Sequence, residues 1–277
     1  MTDILVSTQW AIEHLHDADK RFIEVDVDTT QYETGHLQGA IAFNWQSQLQ
    51  DPIARDIISK EQLEALFSTA GITPEMTLVL YGDNNNWFAA YAFWLFKYYG
   101  HADVRLINGG RKKLLAEGRP LTVVVPTYER TNYQVSAVNE TFRADRDYVR
   151  ARLRQDGFAL VDVRSPAEFV GDIIAPPGMT ETAQRAGHIP GAKNVPWSTI
   201  VAEDGTFKPI EDIRRIYGDL GVSEDQDVVT YCRIGERSSH TWFALKYLLG
   251  FPNVRNYDGS WTEWGNLIGA PIVKGAE

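Results

Sequence analysis

The sequence predicts an α/β protein built from two homologous domains, each a mostly parallel sheet flanked by helices on both faces. Three observations carry this. Strand-like runs alternate with helix-like ones, the second half repeats the landmarks of the first in order, and from residue 78 to 112 the match keeps a constant offset of 150 without a gap. Alternating strands and helices imply crossover connections, which cover both faces of a parallel sheet. A shared order of landmarks at a fixed offset marks a duplicated unit.

In the first half a helix is expected after Ser7, from Trp10, Ala11 and Leu15, followed by a strand at 22–27 and a turn at 32–41 that leads into a short extended segment. Ser59 and Gln62 have capping-box spacing ahead of Leu63, Leu66 and Phe67, and Gly71 closes that helix. The strand at 77–81 runs into Gly82, Asp83 and three asparagines; an apolar helix over 87–99 stops at Gly100, and a strand at 104–107 precedes the turn Asn108-Gly109-Gly110.

In the second half, residues 158–163 answer 22–27 and Gly187 to Ala192 answer Gly35 to Ala40. Residues 229–232 answer 79–82, Gly250 answers Gly100, and Asp258-Gly259-Ser260 answers Asn108-Gly109-Gly110. An insertion over 171–186, carrying Pro176-Pro177-Gly178 and Arg185, reads as a loop. Residues 122–138 lack a helical period and read as an extended linker. The expected division is a first domain over 1–124, a linker over 125–140 and a second domain over 141–277.

At 277 residues with 44% hydrophobic content, the chain has enough apolar side chains for real cores. A net charge of −10 argues against a nucleic-acid partner, which requires a basic face. The N-terminus, Met1-Thr2-Asp3-Ile4-Leu5-Val6, has neither the basic start nor the apolar run of a signal peptide. No stretch approaches the apolar length of a membrane span, so a cytoplasmic protein without a membrane partner is expected. Six histidines without metal-ligand spacing, and the lack of glycine-rich or Gly-Lys-Ser nucleotide turns, predict neither metal nor cofactor.

The single cysteine, Cys232, follows the β-branched run Val228-Val229-Thr230 and precedes a helical pattern of Trp242, Phe243, Leu245, Leu248 and Leu249. Lone cysteines are mostly inert, buried hydrophobes. Here the neighbours Arg233, Gly235, Glu236, Arg237, Ser238 and Ser239 make a poor core lining. A six-residue turn between strand and helix points backbone N–H groups into a concavity. With Arg233 and Arg237 in that turn, the expectation is a stabilised thiolate of depressed pKa in an anion-attracting cup, with Cys232 as nucleophile. In the first half Gly82 stands in place of Cys232, with Asp83 and asparagines in place of the arginines, so that loop cannot do thiol chemistry.

Four pieces, in order, carry a resemblance: Asp162-Val163-Arg164 with Glu168-Phe169, then Gly187 to Ala192, then the Cys-x-x-Gly-x-Arg-Ser loop from Cys232 to Ser238, then Tyr257-Asp258-Gly259-Ser260-Trp261-Thr262-Glu263-Trp264. Together they resemble the rhodanese family, specifically its two-domain thiosulfate sulfurtransferases, over nearly the whole chain. The resemblance implies an inactive first domain, a catalytic second one, and transfer of a sulfane sulfur through a Cys232 persulfide. The partners implied are a small anionic sulfur donor and a thiophilic acceptor, cyanide or a thiol, with a protein acceptor as a further possibility.

The chemistry of the residues agrees, since a thiolate attacking a dianion needs cations and N–H donors nearby. Residues Arg233, Ile234, Gly235, Glu236, Arg237 and Ser238 are expected to cradle the persulfide charge, in the manner of an oxyanion hole. Arg237 is the first choice for the sulfonate end, with Arg233, Arg185 and Arg164 as further candidates; Arg164 is as well suited to bracing the loop. Some animal thiosulfate enzymes carry a lysine where this chain has Ile234. His188 and His36, like Asp162 and Asp26, recur in both halves and read as structural; His240, Trp261 and Trp264 are read as outside the chemistry.

Three alternatives stay open at this level. A mercaptopyruvate sulfurtransferase usually has a smaller Cys-Gly-small-Gly loop, whereas Arg233 and Glu236 favour an inorganic dianion. A cysteine phosphatase has Cys-x5-Arg spacing, while Cys232 to Arg237 is Cys-x4-Arg and forms a tighter cup. A persulfide carrier or binding module for a protein partner would keep the same loop.

Overall fold

The computed structural model describes residues 4–178 and 182–275, which form two compact units. The expected insertion at 171–186 thus falls partly outside the described residues, as do Met1-Thr2-Asp3 of the N-terminal reading. The first unit takes in residues up to Asn139 together with Ala202–Phe207; the second takes in Glu140–Val201 and Lys208 onward. No helix among the described residues is long and apolar enough to cross a membrane.

The first unit runs β1 (Leu5–Val6), α1 (Thr8–Glu13), β2 (Lys20–Glu24), α2 (Gln31–Thr34), β3 (Ile41–Ala42), α3 (Trp45–Gln48), α4 (Lys60–Thr69), β4 (Thr77–Tyr81), α5 (Asp83–Tyr98), β5 (Val104–Ile107) and α6 (Gly110–Ala116). Its five strands pair in parallel in the order β1-β5-β4-β2-β3. Local chemistry sets the helix starts. Ser7 accepts the Trp10 N–H ahead of α1, and Ser59 and Gln62 close the expected capping box on α4. Asn84, Asn85 and Asn86 take left-handed φ of 43°, 56° and 67°, a conformation asparagine tolerates better than most residues, so regular helix begins at Trp87 as expected.

The second unit runs α7 (Arg146–Arg152), β6 (Phe158–Asp162), α8 (Pro166–Val170), β7 (Lys193–Asn194), α9 (Ile210–Gly218), β8 (Asp227–Tyr231), α10 (Glu236–Phe243), β9 (Val254–Tyr257) and α11 (Ser260–Trp264). Its four strands are again parallel, in the order β7-β6-β8-β9. A fifth position survives as the isolated parallel bridge Arg143↔Asn256, in which Asn256 stands where Leu106 of the β1–β5 pair stands at the offset of 150.

The duplication extends to single atoms. Glu24 faces Tyr81 in the first sheet as Asp162 faces Tyr231 in the second. The Tyr81 hydroxyl accepts the Leu37 N–H at 3.0 Å, and the Tyr231 hydroxyl accepts the Ile189 N–H at 3.2 Å. His36 stacks on Tyr32 at 3.7 Å and His188 on Phe169 at 3.6 Å, each with Nδ1 on the carbonyl of the ring it covers. Both histidines therefore hold a turn.

The extended stretch expected at 125–140 is fastened to the first unit. Tyr133 and Val135 are buried, Thr131 N–H donates to Ser68 O at 2.9 Å, and the Tyr128 hydroxyl reaches Gly39 O at 2.7 Å.

One difference between the units is steric. A Cβ at Gly82 would be driven into the carbonyl oxygen of Val25, which is backbone and cannot step aside cheaply. In the second unit the corresponding carbonyl, Val163 O, accepts the Trp197 N–H at 3.0 Å, and the position of Gly82 is held by Cys232. Gly82→Ala should therefore destabilise the protein by about 1–3 kcal/mol through overpacking. Thermal and urea unfolding check this, and an unchanged midpoint would contradict the crowding.

Candidate active site

Cys232 stands just past the carboxyl end of β8, the edge at which parallel α/β sheets bind ligands. The turn is shorter than the six residues expected. α10 begins at Glu236, so Glu236, Arg237 and Ser238 form its first turn. Gly235 joins turn to helix with φ of 100°, and a Cβ there would press on Asp258 Cα at 3.0 Å. Glycine meets both demands at once.

The β9–α11 connection straps this turn from outside. Cys232 N–H donates to Ser260 Oγ at 3.0 Å, Trp261 N–H to Cys232 O at 3.1 Å, and Thr262 N–H to Arg233 O at 3.0 Å. From β9, Asn256 Oδ1 accepts the Ser238 hydroxyl at 2.6 Å and its Nδ2 donates to Ser239 Oγ at 2.9 Å; Ser239 in turn donates to Gly235 O at 2.7 Å.

The sulfur is fully buried. It accepts the Gly235 N–H at 3.1 Å and donates toward Glu236 Oε2 at 3.3 Å. Burial pushes the thiol above its ordinary value and the Glu236 carboxylate pushes the same way; Arg237 and the Ser238 N–H and hydroxyl pull against them without prevailing. This corrects the expectation of a depressed thiol. The first cause is burial, and charge balance adds to it: the arginines arrive with carboxylates of their own.

Arg237 spends its fork on Glu168, with Nη1 to Oε2 at 3.0 Å and Nη2 to Oε1 at 3.2 Å, both residues buried. Glu168 is also the third residue of a capping box on α8, where its Oε2 accepts the Ser165 N–H at 3.0 Å. Burial alone would raise Glu168, but Arg237, the Ser165 N–H and Arg164 outweigh it and hold the carboxyl below its ordinary range. Arg233 is buried too and lies 3.8 Å from Glu236 Oε1.

The other two candidate arginines are engaged with groups of the protein itself. Arg164 is fully buried, binds Asp162 through Nε and Nη2, donates to Gly187 O at 2.7 Å and lies 4.5 Å above the Trp261 ring. Its role is that of a brace. Arg185 donates to the carbonyls of Trp264, Gly265, Leu267 and Ala270, so its guanidinium clamps the end of α11. His240 is buried edge-on to Trp197, and burial takes it down to about 3, which keeps it neutral. Trp261 and Trp264 are buried, each with its indole N–H on a backbone carbonyl.

Sequence reasoning passed over Glu168, Asn256 and Ser260 as site residues. A signal existed in the duplication. At the offset of 150, Asn256 replaces Leu106, Ser260 replaces Gly110 and Glu236 replaces Asn86, so polar groups appear where the first unit has none or a neutral one.

A family model described as a rhodanese-like domain matches residues 7–117 and again residues 145–267. The chain belongs to the rhodanese family. It is 55% identical to the sulfur carrier protein TtuD of Thermus thermophilus, over 99% of this chain and 98% of that one. It is 53% identical to a protein of Haloferax volcanii named "Putative thiosulfate sulfurtransferase", over 99% and 97% of the two chains. Among solved structures it is similar to YnjE, with a TM-score of 0.87 and 25% identity over 99% of this chain and 69% of that one. It is also similar to EanB, with a TM-score of 0.84 and 26% identity over 99% and 70%.

The two rhodanese units differ in charge at their loops. Around Gly82 lie Glu24, Asp26 and Asp83, and burial followed by the charge of Glu24 pushes Asp26 up to about 9. That loop has no sulfur, and Arg111 pairs with Glu24 beside it. The Cys232 loop balances Arg164, Arg233 and Arg237 against Asp162, Glu236 and Glu168.

Two outcomes follow from this balance. Iodoacetamide should alkylate Cys232 at neutral pH more slowly than an exposed cysteine, with a midpoint above the ordinary value of about 8.5; a midpoint below neutrality would contradict the geometry. Glu168→Gln should lower stability by about 3–5 kcal/mol, because it removes the bidentate carboxylate partner of the buried Arg237. Since Glu168 is held below its unfolded value, its contribution is present at neutral pH and is lost as pH falls through the folded value. Denaturant titration at neutral and acidic pH should show the wild type and the variant converging in acid.

Proposed function

We propose that this protein is a sulfurtransferase that takes the outer sulfur of thiosulfate onto Cys232 and passes it to a thiophilic acceptor, cyanide or a thiol. The observation that carries the reading is a lone cysteine at the carboxyl edge of a rhodanese sheet, with the Gly235 N–H 3.1 Å from its sulfur. In the loading step the Cys232 thiolate forms a bond to the outer sulfur, the bond between the two sulfurs of thiosulfate breaks, and sulfite leaves with the electron pair. The persulfide anion then sits where the Gly235 and Ser238 donors favour negative charge. In the second step the acceptor takes the outer sulfur and the Cys232 thiolate returns. The kinetics are ping-pong.

Thiosulfate is favoured over 3-mercaptopyruvate because Arg233 and Glu236 fill a turn that would otherwise be open, and because relatives at 50–53% identity carry the name "Putative thiosulfate sulfurtransferase". A lone cysteine with no disulfide partner suits a reducing, cytoplasmic setting. A second reading has its own observation. The relative from Thermus thermophilus is named a sulfur carrier, and a carrier would hand the same persulfide to a protein.

Intact-mass spectrometry after thiosulfate exposure tests the chemistry. The wild type should gain about 32 Da, one sulfur, and lose it to cyanide. Cys232→Ser should gain nothing, and a folded wild type that gains nothing overturns the proposal. Initial rates on thiosulfate and 3-mercaptopyruvate decide the donor, with a clear preference for the latter reversing the assignment.

A further inference from the structure

We infer that Glu236 accepts the Cys232 proton as the sulfur donor is attacked, so that sulfur loading is coupled to a proton transfer inside the site. This rests on the persulfide chemistry proposed at Cys232.

The geometry divides the two oxygens of Glu236 between two tasks. Oε1 faces the cations, with Arg237 Nε at 3.5 Å and Arg233 Nη2 at 3.8 Å. Oε2 faces the sulfur, which donates toward it at 3.3 Å. The carboxylate is only 2% exposed, so bulk water is a poor competitor for this proton. The other carboxylates nearby point elsewhere. Glu168 gives both oxygens to Arg237, and Asp258, packed against Gly235, gives both to Arg143 at 2.8 and 2.9 Å. His240, on the same helix, is held neutral by burial.

The first unit supplies a comparison inside the same chain. At the position of Glu236 it has Asn86, whose Oδ1 accepts the Gly82 N–H at 2.9 Å and whose Nδ2 donates to Ile107 O at 2.7 Å. An amide suffices to hold the loop there. The carboxylate occurs where the cysteine occurs.

As a purely structural group Glu236 would work against the chemistry, since it keeps the thiol protonated and repels an incoming dianion. Proton transfer removes the first objection and eases the second, because the dianion meets one negative charge instead of a thiolate beside a carboxylate. The thiol and carboxylate together carry one negative charge before the reaction. When the sulfur attacks, its proton passes to Oε2, the Cys232–sulfur bond forms, and sulfite departs with the electron pair of the broken sulfur–sulfur bond. The persulfide anion and the neutral carboxylic acid again carry one negative charge. The buried site therefore changes where its charge lies without changing how much it holds, which matters where solvent cannot screen it.

The test compares wild type, Glu236→Gln and Glu236→Asp by the rate at which the adduct of about 32 Da appears, from about pH 5.5 to 9. The wild type should load at a nearly level rate across neutral pH. Glu236→Gln should rise with thiol ionisation and be slower by about tenfold or more near pH 6. Glu236→Asp keeps a carboxylate and should keep the level profile at reduced rate. Iodoacetamide alkylation, run in parallel, should show a lower thiol midpoint in Glu236→Gln than in wild type, since one negative neighbour is gone. A Glu236→Gln profile identical to the wild type, or a Glu236→Asp profile as steep as that of Glu236→Gln, overturns the inference. Absence of the adduct on wild type at every pH removes the persulfide reading instead, and the alkylation midpoints still decide: an unchanged midpoint in Glu236→Gln overturns the thiol–carboxylate contact itself.

Discussion

The bidentate pair between Arg237 and Glu168 is the interaction on which the second unit's site depends. It ties the first turn of the cysteine helix to the capping box that starts α8. Neither partner is tolerable alone in a buried position, because an unpaired interior charge costs several kcal/mol. The pair therefore fixes the orientation of α10 relative to the end of β6, and with it the position of Glu236, one residue before Arg237. The sulfur inherits its surroundings from that fixed turn. An arginine that reads from sequence as a substrate clamp is, in the folded chain, first of all an anchor.

Duplication separates what the fold requires from what the chemistry requires. Strands β2 and β6 each end in a buried carboxylate facing a tyrosine, Glu24 against Tyr81 and Asp162 against Tyr231. The compensating arginine comes from different places. In the first unit it is Arg111, after β5; in the second it is Arg164, two residues beyond the carboxylate. Trp261 occupies the position equivalent to Arg111 at the offset of 150 and lies under the Arg164 guanidinium. The same buried charge is thus neutralised by two routes. The second route keeps the cation beside the cysteine loop, whereas Asp26, the first unit's residue at the place of Arg164, adds a carboxyl to an already acidic surround.

Much of this was legible in the sequence because it is local. Strand and helix periods, the Ser59–Gln62 capping box, the glycines after α4 and α5 and the repeated Gly-His turns all depend on residues a few positions apart. The position of Cys232 between β8 and α10 belongs to the same class. What was not legible is where long side chains end. Arg185 looks like a loop charge until its guanidinium is seen on four carbonyls around the end of α11, more than seventy residues later. The expected electropositive cup failed for the same reason. Counting arginines near the cysteine in sequence omits Glu168, which reaches Arg237 from α8, and Asp162, which holds Arg164 from the end of β6.

A buried, charge-balanced thiol is a poor general nucleophile, and that suits the role proposed for Cys232 as holder of a transferable sulfur. An exposed thiolate of low pKa reacts with any electrophile and any disulfide it meets. In the arrangement seen here, burial and Glu236 suppress the free thiolate, while the Gly235 N–H and Ser238 stand ready for negative charge at the sulfur. Those donors are held by β9 and the turn into α11 whether or not charge is present, so no reorganisation is needed when it arrives. Under the proton transfer inferred for Glu236, reactivity would depend on a donor whose attack by the sulfur releases the proton to the carboxylate. The selectivity of the site would lie in that requirement more than in the affinity of any single arginine.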